Sequence, residues 1–163
     1  DATTYLRGDG AWSTVSSGGT NTPSFMAVVG SDQSLSSGSF TKAQLDSELW
    51  DTDSAFDHST NYRFTVPSGK AGIYQFNAGI HIQDHTSGRT QARFYKNGSY
   101  VSTSLGVANL RQVHSSTDTT YAFMAWTGNL AEGDYIELYC EQHGGSTEDI
   151  KAGTYMSGYK LIT

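Results

Sequence analysis

The stretch DTDSAFDHSTNYRFTVPSGKAGIYQFNAGIHIQ, residues 51–83, decides how this chain folds. A turn-rich approach leads into a short strand expected over Tyr62–Val66, a Pro-Ser-Gly turn, and a long alternating strand. In that strand Tyr74, Phe76, Ala78, Ile80 and Ile82 share one side, and Gln75, Asn77, Gly79, His81 and Gln83 the other. Successive strand side chains point to opposite faces, so the first set is expected on a packed face and the second on a wetter one. Pro67 has no N–H to give a ladder and Gly72 tolerates unusual dihedrals, which puts both in the connection. The pattern is a hairpin-like unit of an antiparallel sheet, to which further strands add.

At 163 residues the chain can form one domain with a real core. Charged residues make up only 16%, while Gly (18) and Tyr (10) are prominent, a mix that suits short strands and tight turns. A net charge of −6 argues against nucleic acid as a partner, since phosphate contacts need clustered Lys and Arg. No apolar run reaches the length of a membrane span, so no membrane insertion is expected, and no signal peptide is read. The single cysteine, Cys140, excludes an internal disulfide framework. It shares an alternating strand face with Ile136 and Leu138, where an inert buried thiol is expected.

The first dozen residues read as an extended arm, because two Gly flank an Asp while Tyr5, Leu6 and Trp12 are too apolar for an idle tail. Residues 13–23 (STVSSGGTNTP) have the composition of a flexible linker. The chain therefore divides into an arm and linker over 1–23 and a folded domain over 24–163. Phe25–Val29 is a first strand, followed by a polar turn. In FTKAQLDSELW, Thr41 with Gln44 fits a capping box and Leu45 with Leu49 has helical spacing. Ala43, Leu45 and Leu49 also alternate, and a strand is the preferred reading. Arg89–Lys96 is a strand that turns at Asn97-Gly98, a strong hairpin signal, into Tyr100–Thr103. Residues 106–118 lack a period and read as a connecting loop. Thr120–Thr127, Tyr135–Glu141 and Thr154–Ile162 are strands, with a turn at 130–134 and a loop over Gln142–Ala152. Eight or more strands, with turns about every 8–12 residues, predict an all-β antiparallel sandwich or jelly roll.

Several of these pieces, taken in order, resemble the globular head of the complement-1q-like family, which shares the tumour-necrosis-factor jelly roll. They are Phe56-Asp57, Tyr62-Arg63-Phe64-Thr65-Val66-Pro67 and Gly72-Ile73-Tyr74-Gln75-Phe76, then Lys96-Asn97-Gly98, Leu130-Ala131-Glu132-Gly133-Asp134 and Tyr155-Met156-Ser157-Gly158-Tyr159-Lys160-Leu161. Asn61 and Arg63 stand where the family often has Gly and Lys. The resemblance runs from about Ser24 to the C-terminus and implies a ten-stranded jelly roll and a homotrimer. It also implies that Tyr74 or Phe76, with Tyr155 and Tyr159, lie near a threefold axis. Residue accounting points to self-association as well. Large groups occupy both faces of several strands: Tyr121 and Phe123 against Met124 and Trp126, Tyr135 and Tyr139 against Ile136 and Leu138, and Tyr155 and Tyr159 against Met156 and Ile162.

The segment Tyr5-Leu6-Arg7-Gly8-Asp9-Gly10-Ala11-Trp12 resembles a different group, bacteriophage tail-fibre and related virion proteins, in which such segments precede a C-terminal tip domain. Together the two resemblances imply a virion structural protein made in the host cytoplasm: a trimeric tail-fibre tip or knob that binds a host surface glycan or protein. Tyr5, Leu6 and Trp12 would then pack against a neighbouring subunit, the base of the jelly roll or other virion proteins. The alternatives are a capsid decoration or fibre-assembly module and, more weakly, a polysaccharide depolymerase tip.

Loops on a rigid sheet scaffold are free to vary, so receptor contacts are expected in residues 85–89, 107–117 and 142–151. They supply Arg89, Asn109, Arg111, His114 and His143, with Tyr100 and Trp126 as stacking surfaces nearby. Arg7-Gly8-Asp9 matches an integrin-binding tripeptide, but so short a match recurs by chance and the glycines suit a turn. His81 and His85 invite a metal on a trimer axis, and Asp51, Asp53 and Asp57 a calcium ion. The first pair divides between a strand face and a loop, and the second set lacks the Gly and distal Glu of a calcium loop. Neither a metal nor any other cofactor is expected. Glu132 with Asp134, and Glu137 with Glu141, form no recognisable catalytic pair, and no Gly-x-Ser-x-Gly elbow occurs. The chain reads as non-enzymatic.

Overall fold

The computed structural model describes residues 4–14, 20–83, 88–101, 110–113 and 120–161. At the N-terminus β1 (Thr4–Leu6) and β2 (Trp12–Thr14) pair as a small sheet of their own. Arg7 N donates to Ala11 O at 2.8 Å and Gly10 N to Arg7 O at 2.9 Å, closing the turn. The Arg7 and Asp9 side chains meet each other at 3.5 Å. Tyr5, Leu6 and Trp12 are 51%, 57% and 70% exposed, so the base of the jelly roll does not cover them as one expectation held. A two-stranded hairpin has no second layer of its own to cover these three side chains.

The strands from Ser24 onward build two facing layers. They are β3 (Ser24–Val28), β4 (Gln33–Leu35), β5 (Thr41–Lys42), β6 (Ser47–Asp51), β7 (Phe56–Asp57), β8 (Arg63–Thr65), β9 (Gly72–Ile82) and β10 (Arg89–Lys96). Then come β11 (Ser99–Tyr100), β12 (Leu110–Val113), β13 (Thr120–Leu130), β14 (Tyr135–Gln142), β15 (Glu148–Ile150) and β16 (Tyr155–Lys160). The first layer runs β11-β10-β14-β8-β7, with β12 also on β10 and β5 also on β14. The second runs β4-β15-β9-β16-β3-β6, with β13 along the other side of β9. Every strand-to-strand pairing described is antiparallel. This is an all-β jelly roll.

Aromatic rings join the layers. Phe25 of the second layer stacks on Phe64 of the first at 5.0 Å and on Phe56 at 4.9 Å. Phe76 meets Phe64 edge-on at 5.5 Å and stacks on Trp126 at 5.8 Å. Offset and edge-on pairs of this kind add about 0.5–1.5 kcal/mol each beyond area burial. Ile136, Leu138 and Cys140 close the core from β14, and burial pushes the Cys140 thiol up to about 12.

The long strand alternates as its sequence demands, with Tyr74, Phe76, Ala78, Ile80 and Ile82 all buried. That result removes Tyr74 and Phe76 from any subunit contact. Both are fully enclosed between the layers, and the Tyr74 hydroxyl donates to Lys70 O at 2.6 Å. At the predicted hairpin Asn97 (φ 52°) and Gly98 (φ 76°) both take positive φ, as a type I′ turn requires.

Several short strands were not visible in the sequence, among them β1 and β2 in the arm and linker and β7 in the turn-rich approach. β12 lies inside a predicted loop, β4 in the polar turn after Val29, and β15 in the loop over Gln142–Ala152. β4 and β15 have three residues each, too few to display a period, and they pair chiefly with each other. The strand preferred over a helix in residues 40–50 exists in two pieces, β5 and β6. Leu45 is buried but Leu49 is 56% exposed, because Met26 pairs with Trp50 and Ala27 with Glu48. Leu49 is the extra residue of a bulge, and a bulge reverses the facing of the residues beyond it.

Gly158 on β16 makes room for this core. A Cβ there would lie 2.7 Å from Phe76 Cδ1 and 2.9 Å from Phe25 Cε1. Gly158→Ala is therefore expected to destabilise the fold by about 1–3 kcal/mol through overpacking, read as a lower denaturant midpoint; an unchanged midpoint would show that the rings can move aside.

A second expectation concerns acid. Asp134 accepts from Lys96 Nζ at 2.7 Å and Asn97 Nδ2 at 2.7 Å, and these bonds hold its carboxyl down to about 2. A carboxylate lowered by folding contributes stability above its unfolded value, about 3.9, and loses it as pH falls toward the folded one. Stability should thus fall between about pH 4 and pH 2, with a shallower slope in Asp134→Asn. An identical acid profile in the variant would remove Asp134 from the account.

Candidate functional site

The two layers present chemically opposite outer faces. On the second layer the outward residues of β9 are Gln75, Asn77, Gly79 and His81, and β13 lies antiparallel beside them. Their register sets Phe123 opposite Gly79 and Tyr121 opposite His81. On the other side of β9, Tyr155 of β16 is also opposite Gly79. Glycine is needed at 79, because a Cβ there would fall 2.2 Å from Tyr155 Cε1; the tyrosine ring lies flat across the bare backbone. Phe123 and Tyr155 help wall a shallow depression of about 470 Å³ floored by Asn77. Tyr121 stacks on the His81 ring at 4.4 Å.

Tyr121 is 65% exposed and Phe123 73%, so this face leaves two large rings in water. Four strands away on the same sheet, Leu49 and Trp50 of β6 are 56% and 49% exposed. Of the residues expected at a threefold axis, Tyr155 and Tyr159 lie on this outer face, half-buried, while Tyr74 and Phe76 do not. The large rings most exposed on this outer face are instead Tyr121 and Phe123.

The first layer's outer face is polar and interlocked. Pairing of β10 with β14 sets Gln91 opposite Glu141 and Arg93 opposite Tyr139. Arg89 and His143, expected as receptor contacts, are brought together from positions 54 residues apart. His143 Nε2 lies 2.9 Å from Arg89 Nη2 and 3.1 Å from Glu141 Oε2. This one ring nitrogen accepts from Arg89 when it carries no hydrogen and donates to Glu141 when it carries one. Glu141 also accepts from Gln91 Nε2 at 3.0 Å, and Gln91 Oε1 accepts from Arg93 Nη2 at 3.4 Å. The Arg93 guanidinium sits between the Phe40 ring at 4.3 Å and the Tyr100 ring at 5.0 Å, and its buried Nε has no partner among the described residues. Further along, Lys42 Nζ binds Glu137 Oε1 at 2.6 Å and Tyr95 packs on Tyr139 at 4.1 Å.

The backbone of β12 places Arg111 opposite Gln91, next to this cluster. Asn109, His114 and His85 lie outside the described residues. The connection expected to be an irregular loop thus contains a strand that borders the cluster.

The other singled-out groups serve local structure. Asp57 accepts from the backbone N–H of Thr60, at 2.9 Å, and from Asn61 Nδ2 and the Ser59 N–H, which hold its carboxyl well below the usual range. Asp51 accepts from Phe56 N at 2.7 Å, and Asp53 pairs with Lys70 at 3.2 Å. Glu132 accepts from Gly69 N at 2.9 Å. Among the described residues no group of three or more His, Cys, Asp or Glu side chains is placed to hold a metal ion.

No family model matches this sequence, and no curated protein does. Solved structures do match. The globular domain of a zebrafish complement 1qA protein aligns with a TM-score of 0.60 at 14% identity, over 85% of this chain and 96% of that one. The crystal structure of murine APRIL at pH 8.0 aligns with a TM-score of 0.53 at 16% identity, over 85% and 98%. At such identities the likeness is one of fold. The chain has the jelly-roll fold of the complement-1q globular domain and tumour-necrosis-factor-like proteins.

Proposed function

We propose that this chain is the trimeric tip or knob domain of a bacteriophage tail fibre and binds a receptor on the host cell surface. The observation that carries the trimer is the pair of exposed rings on β13, Tyr121 and Phe123. Burying one such side chain contributes about 1.5–3 kcal/mol. The β13 patch and the Leu49–Trp50 patch sit apart on one face, which suits a head-to-tail contact that closes as a ring. The fold's likeness to the complement-1q globular domain supports the same reading. The fibre setting rests on the resemblance of residues 5–12 to virion proteins. Their exposed Tyr5, Leu6 and Trp12 supply apolar groups for another virion chain to cover.

With the second layer facing its copies, the first layer's outer face is left to the receptor. Arg89 and His143 lie in one corner of it, with the backbone of Arg111 on the strand alongside, and three copies would add weak contacts by avidity. Cell adsorption of purified protein tests both halves. Arg89→Ala with His143→Ala should keep the native mass and lower adsorption about tenfold or more. Phe123→Asp, on a side chain that points away from the core, should leave the strand spectrum intact, yield monomers and lose adsorption with them. Adsorption unchanged in both variants would contradict the proposal.

A further inference from the structure

At the corner where Arg89 meets His143, a single imidazole nitrogen stands within hydrogen-bond reach of both a cation and a carboxylate. His143 Nε2 lies 2.9 Å from Arg89 Nη2 and 3.1 Å from Glu141 Oε2. The backbone around the pair is held in place. His143 N donates to Arg89 O at 2.8 Å, and Gly88 (φ 96°) passes so close that a Cβ there would strike His143 O. Gly144 N donates to Gln142 Oε1 at 2.6 Å and Gly145 N to Ser37 Oγ at 3.2 Å, which pins the turn that follows. Any rearrangement here belongs to the side chains.

A guanidinium can only donate, so the Arg89 contact needs Nε2 without hydrogen. A protonated imidazole carries hydrogen on both nitrogens and cannot accept. Arg89 and a cationic His143 would then press two donors and two like charges together. Glu141 has the opposite requirement: its nearly buried carboxylate accepts, and a protonated ring donates to it. Gln91 Nε2 holds that carboxylate in place at 3.0 Å. Acid therefore keeps His143 on Glu141 and expels Arg89. The other charged groups described nearby replace neither partner. Arg93 is committed to Gln91 and to the Phe40 and Tyr100 rings, and Glu148 accepts from Ser146 Oγ. On β12 the backbone of Arg111 lies opposite Gln91, one ladder step away.

We infer that His143 is a proton-operated latch on Arg89, closed while Nε2 is bare and opened by acid so that the corner takes an anionic group. Imidazole ordinarily changes charge between about pH 5 and pH 8, where guanidinium and ordinary carboxylates do not. Protonation raises the net charge of the corner by one. It also frees the planar Arg89 fork, whose parallel N–H groups match a carboxylate or a phosphate. The inference rests on the receptor-binding reading and names the regulation and ligand chemistry of the same residues.

NMR of the full chain at pH 8 and pH 5 tests the latch. The His143 ring nitrogens, assigned with His143→Gln, should show Nε2 bare at pH 8 and both nitrogens protonated at pH 5. The Arg89 guanidinium signals, assigned with Arg89→Lys, should exchange with water more slowly than free arginine at pH 8 and lose that protection at pH 5. Glu141→Gln removes the charge that favours the imidazolium, so the transition should move to lower pH. In His143→Gln, whose amide can accept at either pH, Arg89 should stay protected throughout. Glucuronic acid should bind about fivefold or more tightly at pH 5 than at pH 8, a coupling of ordinary size. Glucose should gain nothing in acid, and His143→Gln should abolish the difference for glucuronic acid. A protonated Nε2 at pH 8, Arg89 protection unchanged in acid, or glucuronic acid bound equally at both pH values overturns the inference. Cell adsorption separates it from the reading beneath it. A working latch in a chain whose Arg89→Ala, His143→Ala variant adsorbs unimpaired supports the latch and removes the receptor reading. Adsorption lost in that variant, with Arg89 protected at both pH values, does the reverse.

Discussion

The stack of Phe25, Phe64 and Phe76 across the two layers is the constraint on which the remaining arrangement depends. These rings fill the sandwich because Gly158 provides no side chain where they pass. With Phe76 held inward, the period of two sends Gln75, Asn77, Gly79 and His81 outward. The ladder between β9 and β13 then carries the choice to the next strand: Trp126 and Met124 must face in, and Tyr121 and Phe123 must face out. The exposed aromatic face is a consequence of how the core is filled, given a strand with large groups on both sides.

The opposite layer solves a different problem. Its inward residues Ala92, Phe94, Ile136 and Leu138 are apolar, but its outward ones are Arg, Gln, Glu, His and Tyr in direct contact. Glu137 and Glu141 are nearly buried on an outer face because neighbouring long side chains lie over them, and each keeps a cationic or amide partner. Such a network fixes the positions of Arg89 and His143 without using the core. One sheet thus exposes apolar rings on its outer face, and the other exposes placed charges.

Much of this was legible in the sequence. The alternation of residues 74–82, the Asn97-Gly98 turn and the two-faced apolar pattern of residues 121–126 act locally, so a reader of the chain can trace them. The features beyond reach were set by pairing. β4 and β15 exist because each supplies the other's hydrogen bonds, and β12 because β10 offers it an edge. The bulge at Leu49 depends on the register against β3. Tyr74 and Phe76 were assigned both to the core and to a subunit contact, two roles one side chain cannot fill, and their burial decides for the core. Arg89 and His143 were each visible as loop-end residues, but their contact comes from the β10–β14 ladder.

The central claim is that the exposed face of the second layer is a surface between copies of this chain. The mass of the unmodified chain in solution tests it most directly. Light scattering at micromolar concentration should give three times 17.6 kDa, whereas a stable monomer, with Tyr121 and Phe123 left in water, would contradict the account.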